Sequence, residues 1–450
     1  MRETYSQADL TIAAHPAASC DGGFLGRQAF ADPSWQRPFA VRLDESRYMN
    51  FYIRVGHPER FFTILDNLMV WSPLMRRGWT LQEAVLSRRT IHYTGAELVW
   101  ECATNQFCEC GHTCRRKDGD GPVVKTRIQN ADIVAEGIVD PDVLASLGWM
   151  RFVARYSKRQ LTRPSDKLVA ISGLAQQHFL KIQTSSQHHG DPQTDSFYLA
   201  GLFRRHMPRQ LLWRTLEREK ECWRPRTLRE PSWSWAALDI PVGYPWQLGW
   251  LEESHIHIYH DETICVPRIS GDQTGEIEGG KLTVQGQLAP VQLYLPTEGN
   301  DATVRGRNGH KRCITIDVNN YEDFGLTDVN EPATRAEPPW LIVGTENRGE
   351  FDPYTLIWSA VGTENCDEFD PNTLNWSEAR FWCLQVATYT TTAATTNVYG
   401  PPLPLCMFLV LERRTAKTGG WRRVGMGSEP ELDSCISLFA DAEEYKISIV

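Results

Sequence analysis

Ser72-Pro-Leu-Met-Arg-Arg-Gly-Trp-Thr-Leu-Gln-Glu-Ala-Val-Leu86 runs almost directly into two further segments, Thr90-Ile-His-Tyr93 and Glu97-Leu-Val-Trp100. Ser72 can cap a helix, and Pro73 at the first helical position loses no hydrogen bond that the helix would have made. The sequence therefore predicts one helix carrying Leu74, Trp79, Leu81, Glu83, Val85 and Leu86. Thr94-Gly-Ala96 then turns the chain between the two strands of a hairpin. Upstream, Ala8-Asp-Leu-Thr-Ile-Ala-Ala14 reads as a buried strand and Phe39-Ala-Val-Arg-Leu43 as a second. Strands alternating with a helix make the first part of the chain α/β.

Helical spacing takes over from Val143, where Leu144, Leu147, Trp149, Phe152, Val153 and Tyr156 recur mostly three or four apart. Ser165-Asp166 caps a further helix with Leu168, Ala170, Ile171 and Leu174, and a third is expected over Asp195 to Met207. Beyond residue 250 the character changes. Ile256–Ile258, Leu282–Val284, Val291–Leu295, Cys313–Val318, Phe381–Val386, Met407–Leu411 and Tyr445–Val450 read as strands separated by turn residues. Three regions follow: an α/β part at 1–180, a helical, Trp-rich connector at 181–250, and a β-rich domain at 251–450. The last contains a tandem duplication at 343–377, in which Val343 to Ser359 recurs at Val361 to Ser377. Two copies are too few for a solenoid.

The net charge of -9 argues against a general nucleic-acid binder, which would carry a basic domain. No run approaches the roughly 20 apolar residues of a membrane span. Glu3 and Asp9 interrupt the start where a secretion signal would need an apolar stretch. The expectation is a cytoplasmic protein with reduced cysteines. Cys102, Cys108, Cys110 and Cys114, with His112 among them, could hold a zinc ion. Their spacing lacks paired C-x2-C knuckles, so a Cys-rich loop and a redox pair stay open beside zinc. His255, His257 and His260 could share a metal, or simply form the polar face of an edge strand. The sixteen tryptophans are too scattered for a single aromatic cage.

Several segments in order resemble the heterokaryon incompatibility (HET) domain proteins of fungi. They are Ala8 to Ala14; Arg77-Gly-Trp-Thr-Leu-Gln-Glu83 with Leu86-Ser87 and Arg89; Trp100-Glu-Cys102 and Cys108-Glu-Cys-Gly111; Tyr156-Ser157 through Arg159, Leu161-Thr162 and Ser165 to Leu168; Gly173-Leu-Ala175; Gly201-Leu-Phe203; Leu211-Leu-Trp213; and Pro231-Ser-Trp-Ser-Trp-Ala236. The resemblance covers roughly residues 1–250. It implies a role in non-self recognition and programmed cell death, with other incompatibility or signalling proteins as partners and an oligomer as one form. Members usually carry a further α/β segment before the first strand, with Ser-Tyr-x-Trp-Gly and Trp-x-Asp strands. Residues 1–180 are thus expected to be the C-terminal portion of the domain, with an open strand edge.

The resemblance also implies distant kinship with TIR domains, signalling modules with a Rossmann-like sheet that can cleave NAD. TIR enzymes place a glutamate in a Trp-x-Leu-x-Glu context, which Trp79-Thr-Leu-Gln-Glu83 matches. Cleaving the nicotinamide–ribose bond develops positive charge on the ribose, which a carboxylate can stabilise. Residues 79 and 83 lie four apart, on one helical face, so Trp79 could wall a pocket beside Glu83. NAD is then the expected substrate. The alternative is that Glu83 pairs with Arg77, Arg88 or another base, in a non-catalytic interaction or regulatory protein.

Overall fold

A computed structural model of the chain describes residues 2–24, 38–44, 47–52, 72–94, 98–102, 106–108, 141–185, 198–216, 230–245, 248–259, 262–267, 274–296, 302–307, 311–316, 341–344, 379–391, 404–414, 420–430, 438–439 and 442–450. These divide into two compact units. The first is Met1–Arg163 with Ala170–His178; the second is Pro164–Val169 with Phe179–Val450. The connector expected at 181–250 falls in the second. Helices and strands are mixed, and the C-terminal region is rich in sheet.

In the first unit a short helix α1 (Arg2–Gln7) precedes β1 (Thr11–Ala14), and a hairpin follows, β2 (Pro38–Arg42) with β3 (Tyr48–Tyr52). The segment from Ser72 forms two helices, α2 (Pro73–Arg76) and α3 (Trp79–Leu86), and leads to β4 (Arg89–Tyr93), β5 (Leu98–Cys102) and β6 (Gln106–Cys108). The sheet order is β1-β4-β5-β6. β1 runs parallel to β4, while β4, β5 and β6 are antiparallel. Parallel neighbours need a crossover, and α2 and α3 lie on it. The hairpin expected at 90–100 is therefore present. β1 is a strand as expected, but it is not buried: it lies at the sheet's edge, with Ile12 56% exposed.

The single helix expected from Ser72 is interrupted. Ser72 caps it as expected, its Oγ accepting from the Met75 amide at 3.2 Å. Arg77 then turns extended and bridges to Gln160. The Gly78 amide donates to the Gln160 carbonyl at 2.7 Å, and the Gln160 amide donates to the Arg76 carbonyl at 2.6 Å. Gly78 allows this close approach: a Cβ there would stand 2.5 Å from Leu161 Cδ2.

Helix α4 (Pro141–Tyr156) matches the periodicity read from Val143, with Trp149, Phe152, Val153 and Tyr156 buried. The next helix is divided into α5 (Asp166–Val169) and α6 (Ser172–Ser185).

The helix expected over Asp195 to Met207 is not formed by its described part. Tyr198–Leu199 (β7) and Leu202–Phe203 (β8) pair antiparallel around Ala200 and Gly201, both at positive φ. A two-residue turn with both φ positive is the connection that suits strand twist. Only Met207–Gln210 (α7) is α-helical, with Pro208 in its first turn.

The second unit continues with β9 (Arg214–Thr215) and β10 (Val242–Gly243), which pair with each other. Eleven further strands form one sheet: β11 (Leu248–Ser254), β12 (Ile256–Ile258), β13 (Ile264–Pro267), β14 (Ile277–Pro296), β15 (Ala302–Gly306), β16 (Lys311–Ile316), β17 (Leu341–Gly344), β18 (Phe381–Thr391), β19 (Pro404–Arg413), β20 (Trp421–Pro430) and β21 (Glu443–Ile449). The segments read separately at 282–284 and 291–295 are parts of β14, a single strand of 20 residues. It pairs along its length with β12, β13, β15, β17, β18 and β21. In β19, Cys406 through Leu411 are all buried, as in a strand covered on both faces. Beyond Val343 and Gly344 the tandem duplication lies outside the described residues. Among the described residues, no helix is long and apolar enough to cross a membrane.

Candidate functional site

Trp79 and Glu83 both sit on α3, at its first residue and one turn later, and both are half-buried. The opposite side of α3 is buried through Leu81, Gln82, Val85 and Leu86. Three anchors fix the helix within the first unit. At its start Thr80 Oγ1 donates to the carbonyls of Leu74 and Arg77, both at 2.8 Å. In the middle, Gln82 Oε1 accepts from the Gly173 amide at 2.9 Å. At its end Ser87 Oγ lies 2.7 Å from Thr11 Oγ1 and donates to the Glu83 carbonyl.

The carboxylate of Glu83 has a partner that sequence reading did not find. Helix α1 packs on α3 and brings the Tyr5 hydroxyl into hydrogen bond with Glu83. Burial, followed by the Glu83 charge and that bond, pushes the Tyr5 phenol up to about 12, against a smaller opposing effect of Arg77. Arg159 stands close by. Its Nη1 donates to Thr80 Oγ1 at 2.9 Å and to the Arg77 carbonyl at 3.3 Å, and the Glu83 charge acts on it. Burial lowers the Arg159 pKa to about 9, so the guanidinium remains a buried cation at neutral pH. The Glu83 carboxyl is thus held by a phenol and lies within reach of the Arg159 charge. Arg77, one of the expected partners of Glu83, acts on the Tyr5 phenol. No described interaction links Glu83 with Arg88.

A second polar constellation lies in the same unit, on the covered face of the sheet. Ser72 Oγ stands 3.0 Å from His15 Nδ1; His15 Nε2 is 2.8 Å from His92 Nδ1; His92 Nε2 is 3.0 Å from Glu101 Oε2. All four residues are buried. Alternation explains half of the set: Thr90 and His92 on β4, with Val99 and Glu101 on β5, occupy the buried positions of an eBiBi pattern on each strand. Sequence reading missed it because its links span 57 and 77 residues. The one local clue was polar residues at inward positions of a hairpin.

The cysteine cluster is only partly visible. Cys102 ends β5, half-buried, and Cys108 ends β6; Cys110, His112 and Cys114 lie outside the described residues. His255 Nε2 bonds Thr388 Oγ1 at 2.7 Å, His257 is exposed with its ring edge-on to Tyr259, and His260 is outside. Among the described residues, no group of three or more His, Cys, Asp or Glu is placed to hold a metal ion.

In the second unit, the Pro231-Ser-Trp-Ser-Trp-Ala236 motif is fully buried. Trp235 Nε1 donates to the Gly201 carbonyl at 3.0 Å, Trp213 Nε1 to the Trp233 carbonyl at 3.0 Å, and Ser234 Oγ to the Ala200 carbonyl at 2.6 Å. Arg423 places its guanidinium 3.5 Å over the Trp213 ring and donates to the carbonyls of Leu211 and Trp213. These tryptophans join distant backbone segments and leave no open aromatic cage.

No protein-family profile, characterised protein or solved structure matches this chain.

Proposed function

We propose that the chain is a HET-domain protein of fungal non-self recognition and programmed cell death, acting in the cytoplasm with other incompatibility or signalling proteins. The observation that carries this reading is how its ordered motifs meet. The Ala8–Ala14 motif lies parallel to the strand at Arg89, while Arg159 and Gln160 from the Tyr156–Leu161 motif hold the Arg77–Glu83 segment between them. A strand–helix–strand crossover of this kind is also a building unit of TIR-like, Rossmann-like sheets.

In this reading Glu83 faces the ribose of NAD while water displaces nicotinamide, giving ADP-ribose, nicotinamide and a proton. An ionised carboxylate stabilises the positive charge that develops on the sugar. The test measures NAD in cells expressing the chain or its Glu83→Gln variant. NAD loss with the parent and not with the variant is the expected result; equal loss removes Glu83 from the mechanism.

One observation favours a second, non-catalytic reading: the Tyr5 hydroxyl already engages Glu83. If Glu83 only ties α1 to α3, Tyr5→Phe and Glu83→Gln will each lower stability by about 0.5–1.5 kcal/mol, and the double variant will lose little more. NAD will then be untouched. For the Cys102–Cys114 cluster, stoichiometric zinc in purified protein supports the metal reading, and its absence leaves a Cys-rich loop.

A further inference from the structure

We propose that the face of the β1-β4-β5-β6 sheet turned away from α3 is a self-association surface, on which a second copy of this chain packs the same face of its own sheet. The surface is independent of any chemistry at Glu83.

The two faces of this sheet carry the reverse of the usual side chains. Thr11 Oγ1 meets Ser87 Oγ at the end of α3, so the Thr11 row lies on the helix side. In register that row continues as Thr90 and Glu101, and the next pairs His92 with Val99; all four of these are buried. Residues one position along point the other way. They are Ile12, Ile91, Trp100 and Phe107, opposite one another across all four strands. Ile12 is 56% exposed and Phe107 41%, while Ile91 and Trp100 between them are half-buried. Leu10, two residues before Ile12, is exposed as well. A sheet ordinarily buries its apolar face and turns the polar one to water. Here the buried face is largely polar and an uncharged apolar row faces outward, which marks a surface of interaction.

The row itself selects a second copy as the occupant. It is aliphatic at the β1 end and aromatic at the β6 end. A twofold axis running along the strands, between β4 and β5, reverses the row, so Ile12 and Ile91 of one copy meet Phe107 and Trp100 of the other. The bulky half then fills against the slim half. The strands of the two sheets stay aligned, as in face-to-face sheet packing about 10 Å apart. Arg89, which borders the row opposite Cys102, is set by the same axis over the cysteine of the other copy, so like charges are not opposed.

The size of the face sets the strength. Strands of three to five residues, spaced about 4.8 Å apart and rising about 3.3 Å per residue, give it a footprint of about 300 Å². A standard interface buries roughly 800 Å² per partner, so this association is transient and concentration-dependent, with a dissociation constant on the order of 10–100 µM.

The test is sedimentation of the full chain from about 5 to about 200 µM, a range that brackets such a constant, with Ile12→Lys, Phe107→Glu and the double variant alongside. The parent is expected to pass from monomer to dimer. Each single variant is expected to weaken association at least about tenfold, because it sets an unpaired charge in the contact. The double variant is expected to recover it. Its two new charges stand about 14 Å apart within one copy, but the twofold sets each cation against the anion of the other copy. Salt at about 0.5 M is expected to weaken that recovered dimer. Ile264→Lys, at an exposed position on β13 of the second unit, is expected to change nothing. A parent that stays monomeric, single variants that associate like the parent, a double variant no better than the singles, or equal loss in Ile264→Lys overturns the surface. Hydroxyl-radical labelling of the parent keeps the test open if a variant does not fold. Weaker labelling of Trp100 and Phe107 at the high concentration supports the surface, and unchanged labelling overturns it.

Discussion

Gly201 shows how much a single position can hold. Its φ is +95°, and a Cβ there would stand 2.6 Å from Trp235 Nε1, the atom that donates to Gly201's own carbonyl. Gly201→Ala is expected to cost about 2–4 kcal/mol, read as a lower thermal midpoint, because it adds backbone strain to a ring that cannot retreat. Arg423 is equally committed. Arg423→Met leaves two buried carbonyls without their donor and is expected to cost about 2–5 kcal/mol by denaturant titration. His15 works in the opposite sense to a histidine that gains an anionic partner, whose contribution is lost as pH rises. Its lowered pKa means that the stability it guards is complete above about pH 6.5 and is lost on the acid side. None of these roles could be read from the residue alone. Gly201 and His15 are single letters in unremarkable loops until the chain brings Trp235 and His92 to them.

At the scale of elements, legibility followed the range of the forces involved. The Ser72 cap and the pairing of β4 with β5 were readable because a cap and a hairpin are local features, and both the cap and the strand pairing appear. Ser72→Ala removes the cap and is expected to cost about 1 kcal/mol, with the loss appearing first as faster exchange in α2. The break at Arg77 was not readable, since Gln160 lies on another element and no propensity at Arg77-Gly78 demands an extended residue. The false helix over Asp195–Met207 failed for a different reason. Its hairpin needs Ala200 in a left-handed conformation, which non-glycine residues seldom adopt. The segments read separately at 282–284 and 291–295 are joined through Gly286 and Pro290 into one strand, β14. Of the candidate site, Trp79 and Glu83 were visible as a spacing on a helix. Tyr5 and Arg159, which decide what Glu83 can do, were not, because tertiary packing alone brings them there.

For the whole molecule, the two units depend on sequence distance to different degrees. The first closes a parallel pair over the α2–α3 crossover and stitches it with polar side chains. The second is organised around β14, whose residues Leu282–Leu288 pair with β21, while the Ser232 amide and hydroxyl close on the Val450 carbonyl. Deleting residues 443–450 is expected to move the protein from the soluble to the insoluble fraction on expression, since it exposes one side of the central strand. The pairing of β14 with β21 also sets a timetable. Roughly 150 residues separate them, so at about 5–20 residues per second a ribosome finishes β21 some 7–30 s after β14. Throughout that interval Leu282, Val284 and Leu288 lack the strand that will pair with them. The amount of this protein a cell accumulates therefore depends on how well its nascent chains are shielded by chaperones, as well as on the stability reached afterwards.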